Sequence, residues 1–306
     1  MSSPTSFHEG VLRKVRRRLA WAVRDRWPTR RVVREVQGVE LTLPWSHRLP
    51  DYTQGDSPYG QNLVQLAAGL ARGGQIVVID IGANVGDSAL QIAHATDAVV
   101  VCVEGDPYYL DYLVTNTAGD DRFRIEHALL VPTEDDQGAG MRAMRVGGTT
   151  RFVPDSVGNG VPTITPTGLR HLHPCTEDLR LVKSDTDGYD VALVPAMARA
   201  WRDLHPVLFF EYDLRLSRES GLDPLEVWSS LAELGYTHVA VWGNGGHALG
   251  RTTVAAMPSA STALDGPRER DAPTYWDVAV AHGSDAPAIE VLRDLVPHEL
   301  SAQTGR

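Results

Sequence analysis

Two acids stand at the ends of successive apolar runs. Asp80 closes "IVVID", Glu104 closes "AVVVCVE", and Gly82, Asn84, Gly86 and Asp87 lie between them. An apolar run that stops at a carboxylate and breaks into glycines reads as a strand, a tight turn and a helix from Asp87 to Ala93. Gly82 and Gly86 accept backbone conformations and close approaches that a Cβ would block. This is the opening of a nucleotide-type βαβ unit. A dinucleotide fingerprint needs glycine where Asn84 and Asp87 stand, and Asp87 places a negative charge where a pyrophosphate would rest. No G-K-[ST] phosphate loop is present. The expected ligand therefore carries no phosphate at this turn. S-adenosylmethionine, with its ribose, adenine and zwitterionic methionine tail, suits the carboxylates better. Glu104 is placed to accept from both ribose hydroxyls, and Asp80 to orient the loop or meet the methionine ammonium. Taken singly, Asp80 also reads as a loop cap and Glu104 as a solvent-facing strand end.

A second group of candidates follows two later apolar runs, "KSDTDGYD" at 183–190 and "FFEYD" at 209–213. A cofactor that donates a methyl group does so by in-line displacement, so alignment supplies much of the acceleration, and a hydroxyl acceptor would need a base for its proton. In an α/β sheet such groups gather at the carboxyl ends of strands beside the switch point. Asp185 is the first candidate to face both cofactor and acceptor. Lys183 shares its side of the strand and reads either as a partner of the chemistry or as a structural ion pair. Asp187 reads as a catalyst or as the N-cap of the next helix, and Asp190 as a cap or loop-ordering group. Asp185, Glu211 and Asp213 could together offer oxygen ligands to Mg²⁺ that chelates a diol, with a metal-free site the preferred alternative. His127 is a candidate general base that also reads as a satisfied structural histidine. His171 and His173 read as loop polar groups, and His247 as a hairpin residue near substrate. After Glu104, Gly105 continues the cofactor segment. Asp106 and Pro107 form a helix start, and Tyr108 is placed to stack beside adenine. "DPYY" at 106–109 imitates a signature of nucleic-acid amino-methyltransferases, but it follows the second strand instead of the fourth.

The elements that must position these residues come from pattern. The 306 residues, 42% of them hydrophobic, can bury a large core. A formal charge of −10 argues against a nucleic-acid partner. Cys102 and Cys175 make neither a disulfide framework nor a metal pair. No apolar run has membrane-spanning length, which points to a cytoplasmic protein. From Gln61 onward, helical and β-branched runs alternate, predicting strands that end near residues 80, 104, 126, 184, 212, 243 and 282, mostly parallel and separated by helices. Segments 138–168 and 243–275 break that alternation and are expected to wall the acceptor pocket, joined by Trp45, Tyr52 and Tyr59. Residues 8–35 hold ten Arg or Lys against three acids. They read as a basic amphipathic helix ended near Pro28, either packed on its own domain or touching an anionic membrane on the inner face. Residues 1–59 thus form an N-terminal helix and linker, and 60–306 the main domain.

In its order of motifs, "VVIDIGANVGDSAL", "VVCVEGDPYYLDYLVTN", "IEHALLV", "VPTITPTGL", "LVKSDTDGYDVALVPAM" and "PVLFFEYD", the chain resembles the FkbM-type S-adenosylmethionine-dependent methyltransferases over roughly residues 60–282. The resemblance implies a class I methyltransferase fold, a Rossmann-like α/β sheet of seven strands with the last antiparallel. It also implies methylation of a hydroxyl on a sugar, glycolipid, polysaccharide or polyketide-type product. It assigns the cofactor loop to Asp80, Gly82, Asn84 and Gly86, the ribose acid to Glu104, and the fourth-strand signature to Lys183, Asp185, Asp187, Gly188 and Asp190. Asp187 and Asp190 stand where glutamate is more usual. Two other classes are weighed against it: an NAD(P)-dependent oxidoreductase or epimerase, disfavoured by the two wrong loop positions, and a non-catalytic cofactor-binding module.

Overall fold

The computed structural model describes residues 19, 21–27, 29–136, 141–146, 149–154, 160–265 and 274–301. The helix expected within 8–35 and ended near Pro28 is described only in part. Residues 1–18 lie outside the described residues and Trp21–Arg24 are helical, but Arg31–Val36 is strand β1, hydrogen-bonded antiparallel to β2, Val39–Pro44. Gln37 and Gly38, with φ of 48° and 89°, make the two-residue turn between them. "VELTLP" alternates with period two, the pattern of a half-buried strand. Beyond it, the expected linker holds the short helix α1, Leu49–Tyr52, followed by α2, Gln61–Leu70.

The chain then builds β3 (Val77–Ile81), α3 (Asp87–Ala95), β4 (Val99–Val103), α4 (Pro107–Thr117) and β5 (Phe123–Glu126). The irregular stretch forms β6 (Leu129–Leu130), a hairpin of β7 (Met141–Val146) and β8 (Thr149–Pro154), and β9 (Thr163–Ile164), which pairs with β6. Next come α5 (Pro166–Leu172), β10 (Leu179–Ser184), α6 (Asp190–Ala200), β11 (Val207–Tyr212), α7 (Leu214–Glu219) and α8 (Glu226–Glu233). The last elements are β12 (Tyr236–Gly243), β13 (Ala248–Thr253), α9 (Met257–Ala260), β14 (Trp276–His282) and α10 (Ala286–Leu295).

The main sheet has eight strands in the order β13-β12-β14-β11-β10-β3-β4-β5. From β3 the chain runs outward through β4 and β5, then returns to β10 on the other side of β3, so the order reverses between β3 and β10. A ligand crevice belongs at that reversal. β14 inserts antiparallel between β11 and β12. This is the class I methyltransferase fold, with the seven expected strands joined by an eighth, β13, paired antiparallel on the free edge of β12.

Strand β3 shows why the sheet is covered on both faces. Val77, Ile79 and Ile81 pack into one apolar cluster with α6 and α8, while Val78 packs into the other with α2, α3 and α10. A strand buried on both sides reads as an unbroken apolar run. Each such side chain taken out of water contributes about 1.5–3 kcal/mol. The N-terminal hairpin docks on this frame. Val36, Val39, Leu41 and Leu43 form a third cluster with Tyr109 and Tyr112 of α4. Asn116 locks the join: its Oδ1 accepts from Thr42 N at 2.8 Å, and its Nδ2 donates to Thr42 O at 3.0 Å and Val85 O at 2.8 Å.

Candidate functional site

At the carboxyl end of β3 the chain turns sharply. Gly82 N and Ala83 N donate to Val103 O, and Gly82 (φ 71°), Asn84 (φ 52°) and Gly86 (φ 86°) all take left-handed conformations. A Cβ on Gly82 would stand 2.2 Å from Asp185 O, so only glycine lets the tips of β3 and β10 meet. Glu104 fastens this turn. Its Oε2 accepts from Asn84 N and its Oε1 from Asp106 N, both at 2.7 Å. Burial pushes its carboxyl up to about 7 against those two hydrogen bonds. Each oxygen keeps a lone pair for a further donor.

Two cavities open here. The larger, about 440 Å³, is lined by Gly82, Asn84, Glu104, Gly105 and Tyr109, by the apolar wall Ala128–Pro132, and by Asp185 and Asp187. The smaller, about 180 Å³, lies toward the N-terminal segment, with Asp87, Asp185, Lys183, Glu211 and Asp277 in its lining. Gly82, Asn84 and Asp185 line both. Asp185 is exposed between them, the one candidate acid that reaches the two spaces.

Lys183 does not reach outward. It is buried, its Nζ stands 2.8 Å from Asp80 Oδ1, and it donates to Gly82 O at 3.0 Å. The Asp80 contact is a buried ion pair. Burial opposes the charge on Lys183, but Asp80 and Asp185 outweigh it and raise its pKa. Asp80, fully buried and lining neither cavity, therefore acts on the loop through Lys183. Asp190 orders the neighbouring loop, accepting from Ser184 Oγ at 2.6 Å, Thr186 N at 3.1 Å and Gly188 N at 3.3 Å. Asp187 is not the N-cap of α6, a place taken by Tyr189.

Several candidates are committed elsewhere. Asp213 caps α7, accepting from Arg215 N and Leu216 N, and lines neither cavity, so the set Asp185, Glu211 and Asp213 does not assemble. Among the described residues no group of metal-binding side chains stands together. Asp106 caps α4 through Tyr108 N and is held at 2.6 Å by Arg145, which lies over the Tyr108 ring. Neither Asp106 nor Tyr108 lines the larger cavity, where Tyr109 stands instead. His127 lines neither cavity, and its buried Nε2 has no partner among the described residues. His173 meets Glu126 at 3.4 Å. Trp45 packs on Trp27 and Arg30, whereas Tyr52 and Tyr59 do line the smaller cavity.

The sequence reading missed His47, Asn62 and Asp277, whereas Tyr275 lines the smaller cavity from within the segment 243–275 expected to wall it. His47 Nδ1 accepts from Leu49 N, so its Nε2 carries the proton and donates to Asn84 Oδ1 at 3.2 Å. Burial lowers its pKa to about 4 despite that hydrogen bond, so it is a neutral prop for the loop. Asn62 Nδ2 donates to Asp277 Oδ2 at 2.9 Å across 215 positions of sequence, a pairing that no local pattern signals.

No protein-family model matches the chain, and no curated protein matches it. Among solved structures it is similar to a precorrin-6y C5,15-methyltransferase from Geobacter metallireducens GS-15, at 13% identity over 73% of this chain and 88% of that one, TM-score 0.37. It is also similar to TYW2 of M. jannaschii in complex with AdoMet, at 12% identity over 82% and 84%, TM-score 0.40. Methyltransferase FkbM from Methylobacillus flagellatus KT shares 15% identity over 45% of this chain and 33% of that one, TM-score 0.28. These likenesses are distant, and nothing about the chemistry rests on them.

Proposed function

We propose that the protein is an S-adenosylmethionine-dependent O-methyltransferase acting on a hydroxyl of a sugar, a glycolipid or polysaccharide, or a natural product. The observation that carries the reading is the pair of cavities joined at Gly82, Asn84 and Asp185, at the switch point of a class I methyltransferase sheet. The residues fit the cofactor: a glycine cradle that a Cβ would fill, a strand-end carboxylate with spare lone pairs, and an apolar wall in a space of ligand size. Glu104 would hold the ribose hydroxyls, the wall Ala128–Pro132 with Tyr109 the adenine, and Gly82–Asn84 the methionine end. Bound there, the cofactor supplies an electrophilic methyl group on a sulfonium.

The chain's own residues then align the acceptor and take a proton. Asp185 is placed at the join of the two cavities to accept the hydroxyl proton as the new O–C bond forms and the C–S bond breaks, leaving a methyl ether and S-adenosylhomocysteine. His47 and Lys183 act on the loop that faces the cofactor, as positioning residues. The smaller cavity's carboxylates would repel phosphates, which with the net charge of −10 favours a small-molecule or glycan acceptor over nucleic acid. Calorimetric titration with S-adenosylhomocysteine, beside NAD and NADP, tests the reading. Binding of S-adenosylhomocysteine alone, weakened about a hundredfold in Glu104→Ala, is expected. Binding of a nicotinamide cofactor instead, or of none, would discard it.

A further inference from the structure

The smaller cavity is lined by hydrogen-bond acceptors drawn from four separate elements. Asp87 comes from α3, Asp185 from the loop after β10, Glu211 from β11 and Asp277 from β14. Two cations face them. Lys183 is committed to Asp80, and Arg48 is held by Asp25 at 2.9 Å and lies over the Trp21 ring. Arg48 Nη1 has no further partner, and two cations, each already paired with another acid, stand against four acids. His47 is neutral, and Tyr59 and Tyr275 stay protonated because burial and these same carboxylates raise their pKa values. Burial likewise pushes Asp87 up to about 6, Asp277 up to about 7 and Glu211 well above the carboxylate range, with Asp185 adding to each.

Asn62 is an independent sign that something is to be received here. It lines the cavity at 3% exposure, its Nδ2 is spent on Asp277, and its Oδ1 is buried without a partner. An orphaned amide oxygen beside carboxylates that repel one another is costly. A donor carrying positive charge relieves both at once.

We propose that the smaller cavity receives the protonated amine of an aminated acceptor, with Asn62 Oδ1, Asp277 and Glu211 as the accepting groups. The assignment rests on the methyl-transfer reading, in which this cavity holds the acceptor. It narrows the acceptor to an aminated sugar or aminated natural product and sets aside a neutral polyol. A primary ammonium offers three donors, one for each of these accepting groups.

The test uses the full chain saturated with S-adenosylhomocysteine, titrated with 6-amino-6-deoxyglucose and with glucose. Binding of S-adenosylhomocysteine itself is measured first, so failure of the methyl-transfer reading is seen separately. The aminated sugar is expected to bind at least about tenfold more tightly than glucose at neutral pH. The preference should grow from about pH 5.5 to about pH 7.5 as Asp87 and Asp277 ionise, while glucose affinity stays flat. Asp277→Asn should erase most of the preference without weakening S-adenosylhomocysteine, and the pH series on the unaltered chain reads the same charge dependence if the variant misfolds. Equal affinity for the two sugars, a preference for glucose, or binding of neither overturns the proposal.

Discussion

The two cavities are built in opposite ways. The larger takes its turn and its strand-end acid from one stretch of sequence, Gly82 to Gly105, and seals them with main-chain hydrogen bonds to Glu104. The smaller draws its lining from Gln37 through Asp277, and its acids have few partners besides one another. The contrast separates a local motif, which any sheet of this topology can carry, from a specificity surface that exists only when distant elements meet. It also separates their electrostatics, since one site anchors its carboxylate to two N–H groups and the other leaves acids to share burial.

The largest effect is expected at the shared wall. Gly82→Ala puts a Cβ against the Asp185 carbonyl at a φ that L residues rarely adopt, so S-adenosylhomocysteine affinity should fall more than about a hundredfold by calorimetry. A change within threefold would mean that the loop does not form the cofactor cradle. Next, Glu104→Ala and Asp277→Asn should divide the two cavities. The first is expected to lose about a hundredfold for S-adenosylhomocysteine, and the second to change it less than about threefold. Equal losses would show one continuous site in place of two.

A smaller effect is expected from pH. Asp87, Glu104 and Asp277 have folded-state pKa values above their ordinary ones, at about 6, 7 and 7. The folded chain therefore keeps protons that the unfolded chain releases. Their contribution to stability is full below about pH 4 and is lost as pH rises through about 7. The melting temperature of the ligand-free chain should be higher at about pH 5.5 than at about pH 8, by about 3 °C or more. A rise toward alkaline pH would show that these acids are not buried as described. The smallest is expected at the docking of the hairpin. Asn116→Ala strands Thr42 and Val85 main-chain groups and should cost about 1–3 kcal/mol in denaturant unfolding, with cofactor affinity nearly unchanged. No loss of stability would mean that the apolar cluster alone holds the hairpin.

Legibility in the sequence followed the range of the interactions. The strand, turn and helix at 76–95 were readable because glycine placement and an apolar run are local, and so was the loop-ordering role open to Asp190. The hairpin of Arg31–Val36 with Val39–Pro44, past the expected helix end near Pro28, went unread although "QG" between alternating runs carries a hairpin signal, because the neighbouring arginines dominate the pattern. Asp213 and Glu211 sit two residues apart in sequence, yet one lines a cavity and the other caps a helix, a division that a strand end and its next turn decide together. Nothing local distinguishes Asp277 within "YWDVAVAH" from an ordinary strand residue, or Asn62 from an ordinary first turn of helix.

The sequence by itself determined the alternation of the seven expected strands with helices after Gln61, the glycine turn after β3 and the acid at the tip of β4, because period, capping and left-handed backbone conformations are set by a few adjacent residues. Only the tertiary structure decided which acids share a space. The reversal of strand order beside β3, the antiparallel insertion of β14 and the docked N-terminal hairpin bring Asn62, Asp87, Asp185, Glu211 and Asp277 to one cavity, and burial there raises the pKa values of Asp87, Glu211 and Asp277.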